Sequence, residues 1–179
     1  TAASMLGDEP FIYAWGDDLV KSKVSFSKQL VDDFAKHGSP MIGVQSVPRE
    51  DVSRYGIVSL RDGTREIEDI VEKPSIEDAP SNLADFGRMI FTKDVIDILQ
   101  RTALGKDNEL WVVDAIREYV HGGGRFLAKE VEGGRWLTTG DPVNYLRALL
   151  IYAMDRDDVK GPLFSIMKEL VAEESRKKG

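Results

Sequence analysis

The sequence predicts an α/β domain built on a mixed, mainly parallel β-sheet with flanking helices. Three observations carry this. Short apolar runs of strand length alternate with segments whose apolar residues recur every three or four positions, the pattern of alternating strands and helices. The chain has 179 residues, 42% of them hydrophobic, which is enough for one sizeable core. No repeat and no low-complexity linker divides it. Residues 1–179 therefore read as a single domain, with a sheet core over 1–120 and a hairpin and C-terminal helices over 121–179.

The elements follow in order. Phe11-Ile12-Tyr13-Ala14-Trp15 is a short apolar run and reads as a buried strand, with Gly16-Asp17-Asp18 at its C-terminal end. Phe26, Leu30, Val31 and Phe34 lie at helical spacing over 26–37, and Gly38 stops that helix. Residues 41–47 form the next strand. Tyr55 to Leu60 is another, Arg61-Asp62-Gly63-Thr64 is a turn, and Arg65 to Lys73 returns as the hairpin partner. Pro74 to Asn82 is a loop holding two prolines, and Leu83 to Phe91 is a strand. Val95, Ile96, Ile98 and Leu99 mark a short helix. A second helix runs from Leu110 to Val120 and ends at Gly122-Gly123-Gly124. Arg125 to Val131 and Arg135 to Leu137 frame a Glu132-Gly133-Gly134 turn, which predicts a hairpin. Asp141-Pro142 opens a helix carrying Tyr145, Leu146, Leu149, Leu150 and Ala153, Gly161-Pro162 breaks it, and a last helix ends in a polar tail.

Composition narrows the function classes. A net charge of −7 argues against a general nucleic-acid binder, which needs a basic surface, but leaves room for a nucleotide in a local basic site. With no cysteine, disulfides and thiolate metal sites are excluded, and a reducing cytoplasm suits the chain. No apolar run is long enough to span a bilayer, and no charged-then-apolar leader opens the chain. His37 and His121 each fall at a helix end before glycine, where a cation favours the helix C-terminus.

A few residues could carry chemistry. Asp17 and Asp18 follow a buried strand and could hold a hard divalent cation, or cap a turn. Glu72-Lys73 is an acceptor beside a cation just before Pro74: an exposed ion pair at a strand end, or a site for a sugar hydroxyl next to a phosphate. Gly56 after Tyr55 either starts a strand or lets the backbone approach a ligand. Asp141 before Pro142 reads as a helix cap. Gly122-Gly123-Gly124 lacks the spacing of a phosphate loop and reads as a helix stop.

Three segments acquire a sharper meaning together: Val47-Pro48-Arg49-Glu50-Asp51-Val52-Ser53-Arg54-Tyr55-Gly56-Ile57-Val58, Val71-Glu72-Lys73-Pro74 and Ser81-Asn82-Leu83-Ala84. As a set they resemble the sugar-1-phosphate nucleotidyltransferases, and in particular the bacterial and archaeal UTP–glucose-1-phosphate uridylyltransferases. The resemblance implies a nucleotide-diphospho-sugar transferase fold of Rossmann-like type, with UTP and glucose 1-phosphate as substrates and Mg2+ as cofactor. It makes Asp17 the metal ligand and a catalytic residue, and Lys73 the catalytic cation that contacts the sugar phosphate. Glu72 would bind sugar hydroxyls, the backbone at Tyr55 and Gly56 would line the sugar, and Asn82 would shape the loop beneath it. Thr138 stands where the family often has a second metal-reaching aspartate. The family's opening Gly-x-Gly-Thr-Arg nucleotide loop has no counterpart, and Gly63-Thr64-Arg65 falls in a hairpin turn instead. The chain thus reads as an N-terminally incomplete, C-terminal portion of the enzyme, carrying the sugar-phosphate side and inactive alone. No nucleic acid or membrane partner is implied. A homo-oligomer and a cytoplasmic location are expected. The rival readings are a glucose-1-phosphate thymidylyltransferase and a non-catalytic sugar-phosphate-binding module of the same fold.

Overall fold

In a computed structural model describing residues 3–105 and 108–177, strands and helices alternate as α1 (Ala3–Leu6), β1 (Phe11–Ala14), β2 (Asp18–Ser22), α2 (Phe26–His37), β3 (Met41–Ser46), β4 (Gly56–Leu60), β5 (Ile67–Glu72), β6 (Leu83–Phe91), α3 (Lys93–Leu99), α4 (Val112–His121), β7 (Leu127–Glu130), β8 (Gly134–Thr138), α5 (Pro142–Ala153) and α6 (Asp157–Lys177). A 3-10 turn over Arg49–Arg54 precedes β4. Two compact units result, Thr1–Trp136 and Leu137–Gly179.

The first unit is organised by β6, whose mostly apolar side chains are buried along nearly the whole strand. The main sheet runs β5-β4-β6-β3-β7, with β1 also paired to β6. One edge of β6 takes β3. The other is shared: β4 pairs at Leu83 and Ala84, and β1 at Arg88 to Phe91. Between these two partners β6 bulges, because Asp85 faces Val44 while Met89 already faces Ile42. Gly87, at φ +62°, makes the bulge possible. A two-stranded sheet of β2 and β8 stands apart.

The mixed sheet with flanking helices is as expected, but its parallel share is not. Within the main sheet only β3 and β7 run parallel, and its other described pairings are antiparallel. Local connection dictates this: a short turn joins β4 to β5, and such a turn can only return the chain antiparallel. The hairpin expected around Glu132 is also corrected. β7 pairs with β3, and β8 pairs with β2. The Gln29 side chain explains the parting. Its Oε1 accepts from the Glu132 N–H at 2.9 Å while its Nε2 donates to the Val24 and Glu132 carbonyls. Gln45 Oε1 then accepts from the Trp136 N–H at 3.0 Å. These bonds draw the turn away from a simple return.

The core lies on both faces of the sheet. Ile42, Val44, Val58, Ile70 and Met89 meet Val113, Ile116 and Val120 of α4 on one face. Met41, Ile57, Ala84, Phe86 and Ile90 meet Phe26 and Leu30 of α2 on the other. Each of these side chains larger than alanine, fully buried, contributes about 1.5–3 kcal/mol. α2 has the ends its sequence announces: Ser25 Oγ accepts from Lys28 N, and Gly38 at φ +61° donates its N–H to Phe34 O.

In the second unit, Asp141 caps α5. Its Oδ1 accepts from Val143 N at 3.1 Å and Asn144 N at 3.0 Å, with Pro142 at the first helical position. The break expected at Gly161-Pro162 falls earlier instead. The chain turns after α5 near Met154, and α6 runs through Pro162. Pro162 stands early in α6, so its missing N–H removes one ladder bond near a helix end. Among the described residues, no helix is long and apolar enough to cross a membrane.

Candidate functional site

The antiparallel register assembles the centre of the site. Gly56 faces Glu72 across β4 and β5, and Ile57 faces Ala84 across β4 and β6. The next pair along brings Gly56 beside Asp85, so Glu72, Gly56 and Asp85 form one row across three strands on one face. Gly56 is required by space: a Cβ there would stand 3.1 Å from Glu72 Oε2 and closer still to Asp85 Oδ2.

The two carboxyls differ. Asp85 is 1% exposed. Its Oδ1 accepts from Gly87 N at 3.0 Å, while its Oδ2 is buried without a hydrogen-bond partner. Burial pushes this carboxyl up to about 8; the Gly87 N–H opposes the rise, and the Glu72 and Asp18 charges add to it. The Glu72 side chain is 16% exposed and 3.8 Å through its Oε1 from Lys73 Nζ, with Oε2 buried and unpartnered. Burial raises the Glu72 carboxyl, Lys73 pulls it back, and Asp114 pushes it up again.

Lys73 adopts φ 43°, a left-handed conformation rare outside glycine. Its N–H donates to Tyr55 O at 3.0 Å, which pins the turn. The half-exposed ammonium lies 5.0 Å from the centroid of the Trp111 ring. Glu72, Lys73, Trp111, Asp114 and Arg117 line a cleft of about 250 Å³ at this point.

Asp17 and Asp18 take different places. Trp15 donates its backbone N–H to Gly87 O at 2.8 Å, and its ring fills the space a Cβ on Gly87 would need. Asp18 is buried: its Oδ1 accepts from Trp136 Nε1 at 2.5 Å, and its carbonyl accepts from Arg88 Nη2 at 3.1 Å. Asp17 is exposed in the turn after β1. Among the described residues, no group of three or more His, Cys, Asp or Glu side chains is arranged to hold a metal by itself. Magnesium asks less, since one or two carboxylates with waters and substrate phosphates suffice. Of the adjacent pair, Asp17 has the exposed carboxylate and so fits that requirement.

Tyr55 and Asn82 lie around the row rather than in it. The Tyr55 ring packs edge-on against Trp136 at 5.0 Å, and its carbonyl serves Lys73. Asn82 Nδ2 donates to Val47 O at 2.9 Å, and its own carbonyl accepts from Val47 N at 2.9 Å, so it stitches the loop to the end of β3. The Arg49 guanidinium donates to the Ile76, Ala79 and Ser81 carbonyls and holds the same loop down.

Sequence reasoning missed Asp85, Trp111 and the Arg49 clamp. Asp85 had a signal, an acid alone in the apolar strand Leu83–Phe91, directly before Phe86-Gly87. Trp111 and Lys73 are far apart in sequence and meet only through packing of α4 on β5.

Residues 1–154 match the family model described as Nucleotidyl transferase. The UTP–glucose-1-phosphate uridylyltransferase of Streptococcus pneumoniae is 36% identical over 97% of this chain and 61% of its own length. That of Staphylococcus epidermidis is 36% identical over 95% of this chain and 59% of its own. A crystal structure of UDP-glucose pyrophosphorylase complexed with UDP-glucose superposes with a TM-score of 0.79 at 36% identity, covering 87% of this chain and 60% of that one. The chain thus spans about 60% of the length of these relatives.

Proposed function

The chain belongs to the nucleotidyl transferase family, with its Rossmann-like α/β fold, and from that premise we propose that it forms the sugar-phosphate side of an enzyme joining UTP and glucose 1-phosphate into UDP-glucose and pyrophosphate. The observation that carries the reading is the turn at Glu72-Lys73. The left-handed backbone at Lys73 sends Glu72 into the row beside Gly56 and Lys73 out over Trp111. An acceptor-only carboxylate for hydroxyls and a point cation for phosphate thus border one cleft.

In the reaction a phosphate oxygen of glucose 1-phosphate attacks the α-phosphorus of UTP in line, and pyrophosphate leaves with the bonding pair. No covalent enzyme intermediate is needed, so positioning and charge supply the rate. Glu72, with the bare backbone at Gly56, binds the sugar hydroxyls. Lys73 orients the attacking phosphate. Tyr55 supports Lys73 through its carbonyl, and Asn82 shapes the loop beneath. Asp17 would hold Mg2+, which when bound offsets negative charge on the phosphates. The relatives' names support UTP over dTTP. Large exposed apolar side chains on α5 and α6, including Leu146, Phe164, Ile166 and Leu170, support self-association. A cytoplasmic location belongs to the same proposal and rests on the cysteine-free composition.

Calorimetric titration of glucose 1-phosphate tests it. Lys73→Ala should weaken binding by about 10- to 100-fold, the value of a charge-assisted hydrogen bond, with UTP affinity nearly unchanged. Equal losses for both ligands would contradict the role.

A further inference from the structure

Asp85 is not used by the reaction described above, yet it occupies the most protected point of the site. A carboxyl in the apolar strand Leu83–Phe91, 1% exposed, is a costly placement that an aliphatic residue would avoid. Its geometry suggests what offsets the cost. Oδ1 is already an acceptor for Gly87 N, so the oxygen left over is Oδ2. Oδ2 and Glu72 Oε2 are both buried and both lack a partner. They flank the same point, the bare Cα of Gly56. Two ionised carboxylates so placed repel one another, whereas one proton between them gives each orphan a partner. The more enclosed group keeps that proton, since its ionised form loses most hydration. Burial, and then the Glu72 and Asp18 charges, all raise the Asp85 carboxyl, while only the Gly87 N–H lowers it. Glu72 alone of the pair has a cation at hand, Lys73, with Asp114 opposing it.

We infer that Asp85 is a positioning residue: it stays protonated, presents Oδ2–H to Glu72 Oε2, and so leaves Glu72 ionised with Oε1 turned to the cleft as the acceptor for a substrate hydroxyl. The inference rests on the reading of Glu72 as the hydroxyl-binding group. It makes Asp85 a determinant of sugar recognition that never touches the sugar. It also explains the glycine at 56, because any side chain there would part the two carboxyls.

Side-chain carboxyl 13C shifts of the full chain, followed from about pH 4 to about pH 10, read the proton directly. Asp85 should titrate at about 8 and Glu72 below it, and Glu72→Gln should lower the Asp85 midpoint by removing the facing charge. An Asp85 that titrates in the ordinary carboxylate range, or is unmoved by Glu72→Gln, overturns the inference. Calorimetry with glucose 1-phosphate adds the functional arm. Asp85→Leu should weaken binding about tenfold, and Asp85→Asn, whose amide donates without titrating, should restore most of that loss. Wild type should lose affinity as pH passes the Asp85 midpoint, and Asp85→Asn should not. Identical pH profiles for the two proteins overturn the inference. If wild type binds no glucose 1-phosphate while the coupled titration holds, the functional reading fails and the shared proton stands. If Asp85→Leu does not fold, the titration and the Asp85→Asn profile still decide.

Discussion

Replacing Gly87 by alanine should be among the most damaging single changes in the sheet. Gly87 is at φ +62°, so a Cβ there costs about 1–2 kcal/mol of left-handed strain. That Cβ would also land inside the Trp15 ring, overlapping Cγ, Cδ2 and Cε3. Overpacking of this kind costs about 1–3 kcal/mol when neighbours must shift. Together the two effects predict a loss of about 2–5 kcal/mol, set against a typical total stability of about 5–15 kcal/mol. Urea unfolding followed by circular dichroism would measure it, and tryptophan fluorescence would report displacement of Trp15. The double variant Trp15→Ala with Gly87→Ala separates the causes. Relief of the overlap should leave only the strain, giving a coupling energy of about 1–3 kcal/mol. A loss under about 1 kcal/mol with unchanged fluorescence would refute the reasoning, because it would mean the ring does not rest on Gly87.

Other outcomes follow from named contacts. Under the proposed reaction, Asp17→Asn should abolish magnesium-dependent pyrophosphate release, and near-normal turnover would move the metal elsewhere. Asp141→Ala should cost about 1 kcal/mol in thermal or urea unfolding with turnover largely intact, since its carboxyl caps α5; lost turnover without unfolding would make it catalytic. Stability should fall as pH rises from the unfolded value of 3.8 to the folded value of about 8 for Asp85, because over that window the folded state alone holds the proton. The slope is at most about 1.4 kcal/mol per pH unit, levels off above the folded value, and should vanish in Asp85→Asn.

Much of the chain was legible where local rules govern. Leu83–Phe91 and Phe26–His37 were read with their ends, because an apolar run and a glycine stop are written in adjacent residues. The Asp141-Pro142 cap was equally plain. Pairing was not, because partners are chosen by distant residues. The Glu132-Gly133-Gly134 segment has hairpin chemistry, yet Gln29 on α2 decides where it goes. Pro162 looks like a breaker, yet α6 starts five residues before it at Asp157 and runs through it at the cost of one ladder bond in the second turn. The candidate site divides the same way. Glu72, Lys73 and Gly56 stand out through local pattern, whereas Asp85 joins them through cross-strand register and Trp111 through helix packing.

The handover of β6's edge from β4 to β1 at Gly87 has a consequence for how the molecule comes apart. Gly56, Trp15 and Asp85 are all fastened to one deeply buried strand, so separating them means dismantling that strand. Such opening draws on nearly the whole free energy of unfolding, and the amides of β6 should exchange with solvent hydrogen only at that global rate. The Lys73 ammonium, by contrast, is half exposed and projects from the end of β5, the outermost strand on that side of the main sheet, over the Trp111 ring. On heating, then, the carboxyl row and the fold should fail together in one transition, and any local adjustment of the cleft should be confined to its lysine side.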